Sequence, residues 1–282
     1  MANMIMRFPG GVPKALTLSY DDGVEQDGRL IGIAKEYGLK GTFNINSERQ
    51  SDWNMTKEEM LDLMSRGHEI ALHGQIHRAP GLARPIDTIR DVLHCREALE
   101  GKFERIIRGY AYPDCGIMRF YNGASYDNIK HYLTDLGIVY CRTLNGDNNK
   151  FELPTDWHQW MPSVKHKNPK IFEYIDEFMA IDTSTKTYCA ARHPRLFYMW
   201  GHSHEFAQDD NWELLDEICK KLSGKDDVWY ATNIEIYDYV KAYESLVYSA
   251  DGKMIYNPTL VKIWFDIDGK TYTVESGETL TL

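Results

Sequence analysis

Along most of the chain, polar and apolar positions switch between two periods. Short runs of β-forming residues are each followed by a longer stretch in which apolar residues recur every three or four positions. Ala15-Leu16-Thr17-Leu18-Ser19 predicts a strand, closed by Asp21-Asp22-Gly23. From about Asp27, the residues Leu30, Ile31, Ile33, Ala34 and Tyr37 fall at helical spacing, and Gly38 stops the element. Residues 41–45 predict a second strand. Thr56 and Glu59 form a capping box that opens a helix running to Arg66. Residues 69–72 predict a third strand, which ends directly on His73.

The alternation continues with a helix over 85–100, a strand over 105–110, a helix over 125–136 and a strand over 138–140. Residues 151–169 break the periodicity, and with Trp157, Trp160 and their prolines they read as a long functional loop. A helix over 170–179, a strand over 195–200, a helix over 212–222, a strand over 228–230 and a helix over 234–246 complete the series. Such alternation implies a mainly parallel α/β sheet with crossover helices. About seven units, with polar residues at several strand C-terminal ends, favour a distorted (β/α) barrel over an open sheet. Beyond residue 247 the texture changes, and 264–274 predicts a β-hairpin turning on Asp268-Gly269. The expected division is a barrel over 1–247 and a small C-terminal β appendage over 248–282.

Composition narrows the functional classes. A hydrophobic content of 43% and an aromatic content of 12% belong to a chain with a full core. The net charge of −10 argues against nucleic acid and against an anionic membrane surface as partners. The cysteines are odd in number, widely spaced and without a Cys-x-x-Cys, so reduced thiols are expected rather than a disulfide framework. The first residues hold Pro9, Gly10, Gly11 and Pro13 and no apolar run, which reads as neither signal peptide nor membrane span. A cytoplasmic location is the expectation.

The chemistry concentrates in two places. In His73-Gly74-Gln75-Ile76-His77 two imidazoles stand four apart, as one helical turn would present them to a single ion. A hydrolytic metal site that keeps an open position takes a carboxylate as third ligand, and Asp21-Asp22 offers two. One can hold the ion while its neighbour stays free as a base. Each feature alone has a plainer reading, surface histidines in one case and a turn capped by aspartates in the other. Both fall at the ends of strands in one alternating series, where barrel active sites sit.

At these residues the sequence resembles the polysaccharide deacetylases, carbohydrate esterase family 4. Their first motif, Thr-Phe-Asp-Asp-Gly, reads here Ser19-Tyr20-Asp21-Asp22-Gly23. Their second, His-(Ser/Thr)-x-x-His after a Gly-His-Glu-Ile-like segment, reads Gly67-His68-Glu69-Ile70-Ala71-Leu72-His73-Gly74-Gln75-Ile76-His77. The resemblance implies a distorted (β/α) barrel over about residues 10–245 and hydrolysis of N- or O-acetyl groups. It implies that Asp22, His73 and His77 bind zinc, or a similar divalent ion such as cobalt, and that Asp21 is the catalytic base. For the acid that protonates the departing amine the candidates are His202 and His204; the family's late motif, a strand running into a histidine, fits His202 best, and His204 then touches substrate.

The third motif departs from the family's Arg-x-Pro-Tyr-Gly. Aligned on Pro113, the stretch from Arg108 to Gly116 puts Ala111 where the arginine belongs, and Arg108 three residues early becomes the candidate to orient Asp21. Tyr112 and the backbone N–H of Asp114 are then candidates for substrate binding, the latter as oxyanion donor. The loop Asp156-Trp157-His158-Gln159-Trp160 stands where a fourth motif is expected, and Trp160 is the candidate for stacking on a sugar. The expected substrate is a carbohydrate or a small N-acetyl compound. Three alternatives stand beside it: a relative that hydrolyses a cyclic or other small amide, an inactive carbohydrate-binding relative, and a non-haem iron oxygenase built on the same two-histidine, one-carboxylate set.

Overall fold

The computed structural model describes residues 4–48, 56–65, 67–144, 150–184 and 189–282. In chain order these form β1 (Met4–Arg7), β2 (Lys14–Asp22), α1 (Gln26–Glu36), β3 (Gly41–Ile45), α2 (Lys57–Ser65), β4 (Glu69–Leu72), α3 (Pro85–Phe103) and β5 (Gly109–Ala111). Next come α4 (Tyr126–Asp135), β6 (Tyr140–Arg142), β7 (Val164–Lys165), α5 (Ile171–Ala180), β8 (Arg195–Gly201), α6 (His204–Gln208), α7 (Trp212–Leu222), β9 (Val228–Tyr230) and α8 (Asn233–Glu244). The chain ends in β10 (Val247–Tyr248), β11 (Met254–Tyr256), β12 (Ile263–Ile267), β13 (Lys270–Val274) and β14 (Thr279–Thr281). No helix among the described residues is long and apolar enough to cross a membrane.

The main sheet runs β6-β5-β4-β3-β2-β8-β7, and every pairing in it is parallel. It curls into a half-barrel with helices outside, the α/β barrel architecture expected from the alternation. β9 pairs with β2 at Lys14–Leu16, below the stretch of β2 that pairs with β3. All nine residues of β2 are buried, as a central strand covered on both faces must be. Ser125 caps α4, Pro85 opens α3, and Thr232 with Glu235 makes a reciprocal capping box on α8. The Thr56–Glu59 box expected at α2 is present, and that helix is described as far as Ser65, so Arg66 lies outside the described residues.

Side chains along a strand point alternately to the two faces, and here the faces have different chemistry. The outward residues Leu16, Leu18, Tyr20, Phe43, Ile45, Ile70, Leu72, Phe197 and Met199 form one apolar core with the surrounding helices. The other face is a set of mostly polar columns: Thr17-Ser19-Asp21 on β2, Thr42-Asn44 on β3, Glu69 on β4, Tyr140-Arg142 on β6 and Tyr198-Trp200 on β8. At the N-terminal ends of the strands this face is plugged by hydrogen bonds. Thr17 donates to Asn233, Asn233 donates to the Tyr198 hydroxyl, and Glu69 accepts from Tyr140, Thr42 and the Ile234 N–H at the start of α8. That closed end leaves the C-terminal ends of the columns as the place where polar groups face an opening.

Three expected elements differ. The strand expected at 105–110 is only Gly109–Ala111, because the Ile107 N–H is taken by the Glu100 carboxylate at 2.8 Å and Ile106 faces solvent. The strand expected at 138–140 lies two residues later and ends on Arg142. The irregular stretch 151–169 contains β7, which pairs with Met199 and Trp200 of β8. The hairpin expected at 264–274 is β12 and β13, and β12 also pairs with β1. Ile263, Phe265 and Val274 from it share an apolar cluster with Tyr198, Trp160 and Ile236 of the barrel.

Candidate metal centre and active site

The polar columns converge on Asp21. Its side chain is 0% exposed, its Oδ1 accepts from Asn44 Nδ2 at 2.9 Å, and its Oδ2 accepts from Arg142 Nη2 at 2.5 Å. Asn44 is itself fixed by a bond to Ser19 Oγ at 2.8 Å. Burial alone would push the Asp21 carboxyl up. The charge of Arg142 above all, with that of His202 and the Asn44 bond, outweighs it and holds the group below its ordinary range. The buried carboxylate is therefore ionised and aimed.

Asp22, the last residue of β2, sits in the left-handed region at φ 80°. Its Oδ1 lies 3.9 Å from His73 Nε2 and 3.7 Å from His77 Nε2. The two histidines were expected on one helical turn. They stand instead on a loop that follows β4, with ring centroids 4.8 Å apart and His77 also left-handed at φ 58°. Asp91 accepts the N–H groups of Gln75 and Ile76, and Asn46 donates to the carbonyls of His73 and Gly74. At Gly74, φ is 79° and a Cβ would lie 2.6 Å from Asp91 Oδ2, so the brace requires glycine there.

The donor set fits a divalent ion. His73 Nδ1 lies 2.9 Å from the Ala111 carbonyl, which can only accept, so Nδ1 carries the proton and Nε2 is bare toward Asp22. Burial pushes His73 down to about 4, which keeps the imidazole neutral as a ligand must be. One donor atom each from Asp22, His73 and His77 lies within 4.8 Å of the others. Two imidazoles and a carboxylate leave room in a tetrahedral shell for a water.

His202, directly after β8, flanks the centre with Nε2 3.8 Å from Asp21 Oδ2, and the His204 ring lies 5.3 Å from its own. Three expected site residues are placed elsewhere or differently. Arg108 does not reach Asp21, because its guanidinium makes a bidentate pair with Asp238 at the surface. Trp160 is 1% exposed and packs edge-on against Tyr140, Trp157 and Tyr198, so no sugar ring can stack on it. The Tyr112 ring is buried with its hydroxyl donating to the His158 carbonyl, and only its flank borders a cleft of about 190 Å³ that Ile117, Met118, Leu144 and Met161 also line. Asp114 is exposed and sits in the left-handed region, at φ 52°.

The guanidinium that reaches Asp21 comes from Arg142, one strand over from the third motif. β5 and β6 pair Ala111 with Arg142, so the guanidinium rises from the register partner of the residue that lacks it. The small Ala111 leaves the space, and Arg142 lies 4.5 Å from the Trp200 ring as it reaches Asp21. A polar residue at the C-terminal end of a buried strand was the available signal, the same one that drew attention to Asp21 and His73.

Such a fold and site define an α/β barrel with a candidate hydrolytic metal centre. The polysaccharide deacetylase family profile matches residues 10–140, which hold Asp21, Asp22, His73 and His77, and over that stretch the chain is similar to the polysaccharide deacetylases. Among curated proteins no relative matches the sequence. Among solved structures, a Mycobacterium smegmatis protein assigned to the polysaccharide deacetylases superposes with a TM-score of 0.57 at 19% identity, over 86% of this chain and 96% of that one. The allantoinase PuuE gives 0.56 at 12% identity over 82% and 91%, and the peptidoglycan deacetylase PdaC of Bacillus subtilis, as a D285S mutant, gives 0.50 at 14% over 83% and 94%. At these identities the likeness is one of fold.

Proposed function

We propose that the protein is a metal-dependent deacetylase acting on an N-acetylated carbohydrate. The observation that carries this reading is the adjacency of two things: three donor atoms gathered within 4.8 Å of one another, and beside them a fully buried carboxylate held by Arg142 and Asn44. Asp22, His73 and His77 would hold zinc or a similar divalent ion, which would polarise the acetyl carbonyl and lower the pKa of a water. Asp21 takes a proton from that water, and Arg142 keeps the carboxylate ionised and oriented for the transfer. His202, on the other side of Asp21, delivers a proton to the departing amine through Nε2. The backbone N–H of Asp114 would serve as oxyanion donor, His204 would touch the substrate, and the cleft beside Tyr112 would take its less polar face.

One observation favours a second reading. The allantoinase PuuE superposes almost as well as the M. smegmatis deacetylase, so a cyclic or small amide is the alternative substrate. Calorimetric titration of chelator-stripped protein with zinc tests the centre directly: one ion per chain is expected for the wild type and none for His73→Ala. A folded wild type that takes up no zinc or cobalt would overturn the proposal. Acetate release, set against ring opening of cyclic amides, separates the two substrate readings.

A further inference from the structure

A pocket of about 490 Å³ is lined by Arg78, Leu82, Ala83, Arg84, Asp87 and Asn122, and Arg78 directly follows the candidate metal ligand His77. We propose that this pocket binds the phosphate of a phosphorylated, N-acetylated sugar. The proposal rests on the deacetylase reading for the acetyl group and narrows the substrate class within it.

Three segments build the walls: the loop after β4, the first turn of α3 and the loop before α4. They are fastened to one another. The Gly81 N–H donates to the Gly116 carbonyl at 2.9 Å, the Tyr121 N–H to the Gly81 carbonyl at 2.8 Å, and Asn122 Nδ2 to the Leu82 carbonyl at 2.8 Å. A Cβ on residue 81 would lie 2.1 Å from the Arg119 carbonyl oxygen and 2.8 Å from that of Gly116, so the two loops meet this closely only because glycine stands there. Asp87 stands one turn of α3 before Asp91, which accepts the N–H groups of Gln75 and Ile76. One helix therefore braces both the pocket and the loop that carries His73 and His77.

The charge of the pocket is one-sided. Arg84 makes a bidentate pair with Asp87, Nε to Oδ2 at 2.8 Å and Nη2 to Oδ1 at 3.0 Å, so both carboxylate oxygens are engaged. That bond, with the charges of Arg84, Arg78 and Arg90, holds the Asp87 carboxyl below its ordinary range. Among the described residues no carboxylate lies within ion-pair distance of Arg78 or Arg90. Three guanidinium groups and one carboxylate leave two positive charges here, in a chain whose net charge is −10. A phosphate monoester carries about −1.5 to −2 at neutral pH, with three acceptor oxygens. It matches both that excess and the free N–H donors of Arg78, where a carboxylate would neutralise half of it and a neutral sugar none. Like charge gathered in a concave wall also concentrates anions from solution.

Calorimetric titration of the full chain, zinc-loaded and again after chelation, tests this with three sugars: N-acetylglucosamine 6-phosphate, N-acetylglucosamine and N-acetylglucosaminuronic acid. The phosphate should bind at least about 10-fold tighter than the neutral sugar in both states, with the uronate between them, and the advantage should shrink as salt is raised. Arg78→Ala and Arg90→Ala, both at exposed positions, should each lose about 10-fold for the phosphate and little for the neutral sugar, with the melting temperature unchanged. Equal affinity for the phosphate and the neutral sugar, a phosphate affinity that survives both substitutions, or one that appears only with zinc would overturn the proposal. A uronate that binds as tightly as the phosphate would overturn phosphate as the group. If none of the three sugars releases acetate the deacetylase reading fails, and the arginine-dependent binding still decides what the pocket holds.

Discussion

Arg142 carries its charge to a place with no solvent. Both Arg142 and Asp21 are 0% exposed, so each is the other's counter-charge. Removing one member of such a pair strands the other, at a cost of about 3–5 kcal/mol. Arg142→Ala should therefore lower the melting temperature and also cut turnover by about 100-fold or more, since the base is no longer held ionised. Arg142→Lys keeps the charge but not the planar contact with Trp200, and should fall between. Wild-type turnover in Arg142→Ala would remove the guanidinium from the mechanism.

Asp27 makes a different prediction at the same scale. It is fully buried, bonded to Ser203, and burial pushes its carboxyl up to about 8 from an ordinary 3.8. Between those values the folded chain keeps a proton that the unfolded chain releases, so stability falls as pH rises through the window and levels off above it. Glu69, pushed up to about 7 by burial, adds a slope of the same sign. Asp27→Asn should gain thermal stability relative to wild type between about pH 5 and pH 8.5. Parallel melting curves for both proteins across that range would contradict this.

Among elements, legibility followed length and periodicity. β3, β4, α7 and β9 stand where the pattern placed them, because each has a clean apolar face bounded by a turn residue. β7 did not announce itself, and β5 is shorter and later than the strand expected over 105–110: their few residues carry no clear period, and they exist because neighbouring strands pair with them. The candidate metal-site residues could be read because Asp21-Asp22 and His73/His77 are each local in sequence. The Arg142–Asp21 contact could not, since it joins residues 121 apart through a sheet register that no local pattern reveals. The same register suggests a swap. Ala111 faces Arg142 across β5 and β6, so Ala111→Arg in the Arg142→Ala background restores a guanidinium to the family's usual position. The double variant should recover at least about 10-fold in kcat/KM over Arg142→Ala alone. No recovery, in a protein that still binds zinc, would mean that the β6 position is the only one from which a guanidinium can serve Asp21.

At the scale of the whole molecule, one end of the barrel is closed and the other is equipped. The plug of Thr17, Thr42, Glu69, Tyr140, Tyr198 and Asn233 seals the N-terminal ends of the strands, and the N-terminal strand β1 is tied to the C-terminal hairpin through β12. The candidate catalytic groups then have a single rim to occupy, and Asp21, Asp22, His73, Arg142 and His202 all lie at or directly after strand ends. The measurement that tests this account most directly is acetate release from N-acetylglucosamine oligomers by the stripped protein before and after zinc is added. The account predicts no release without the ion, release restored by about one zinc per chain, and none at any zinc level from Asp21→Asn. Release that proceeds equally in stripped protein, or that survives Asp21→Asn, would contradict it.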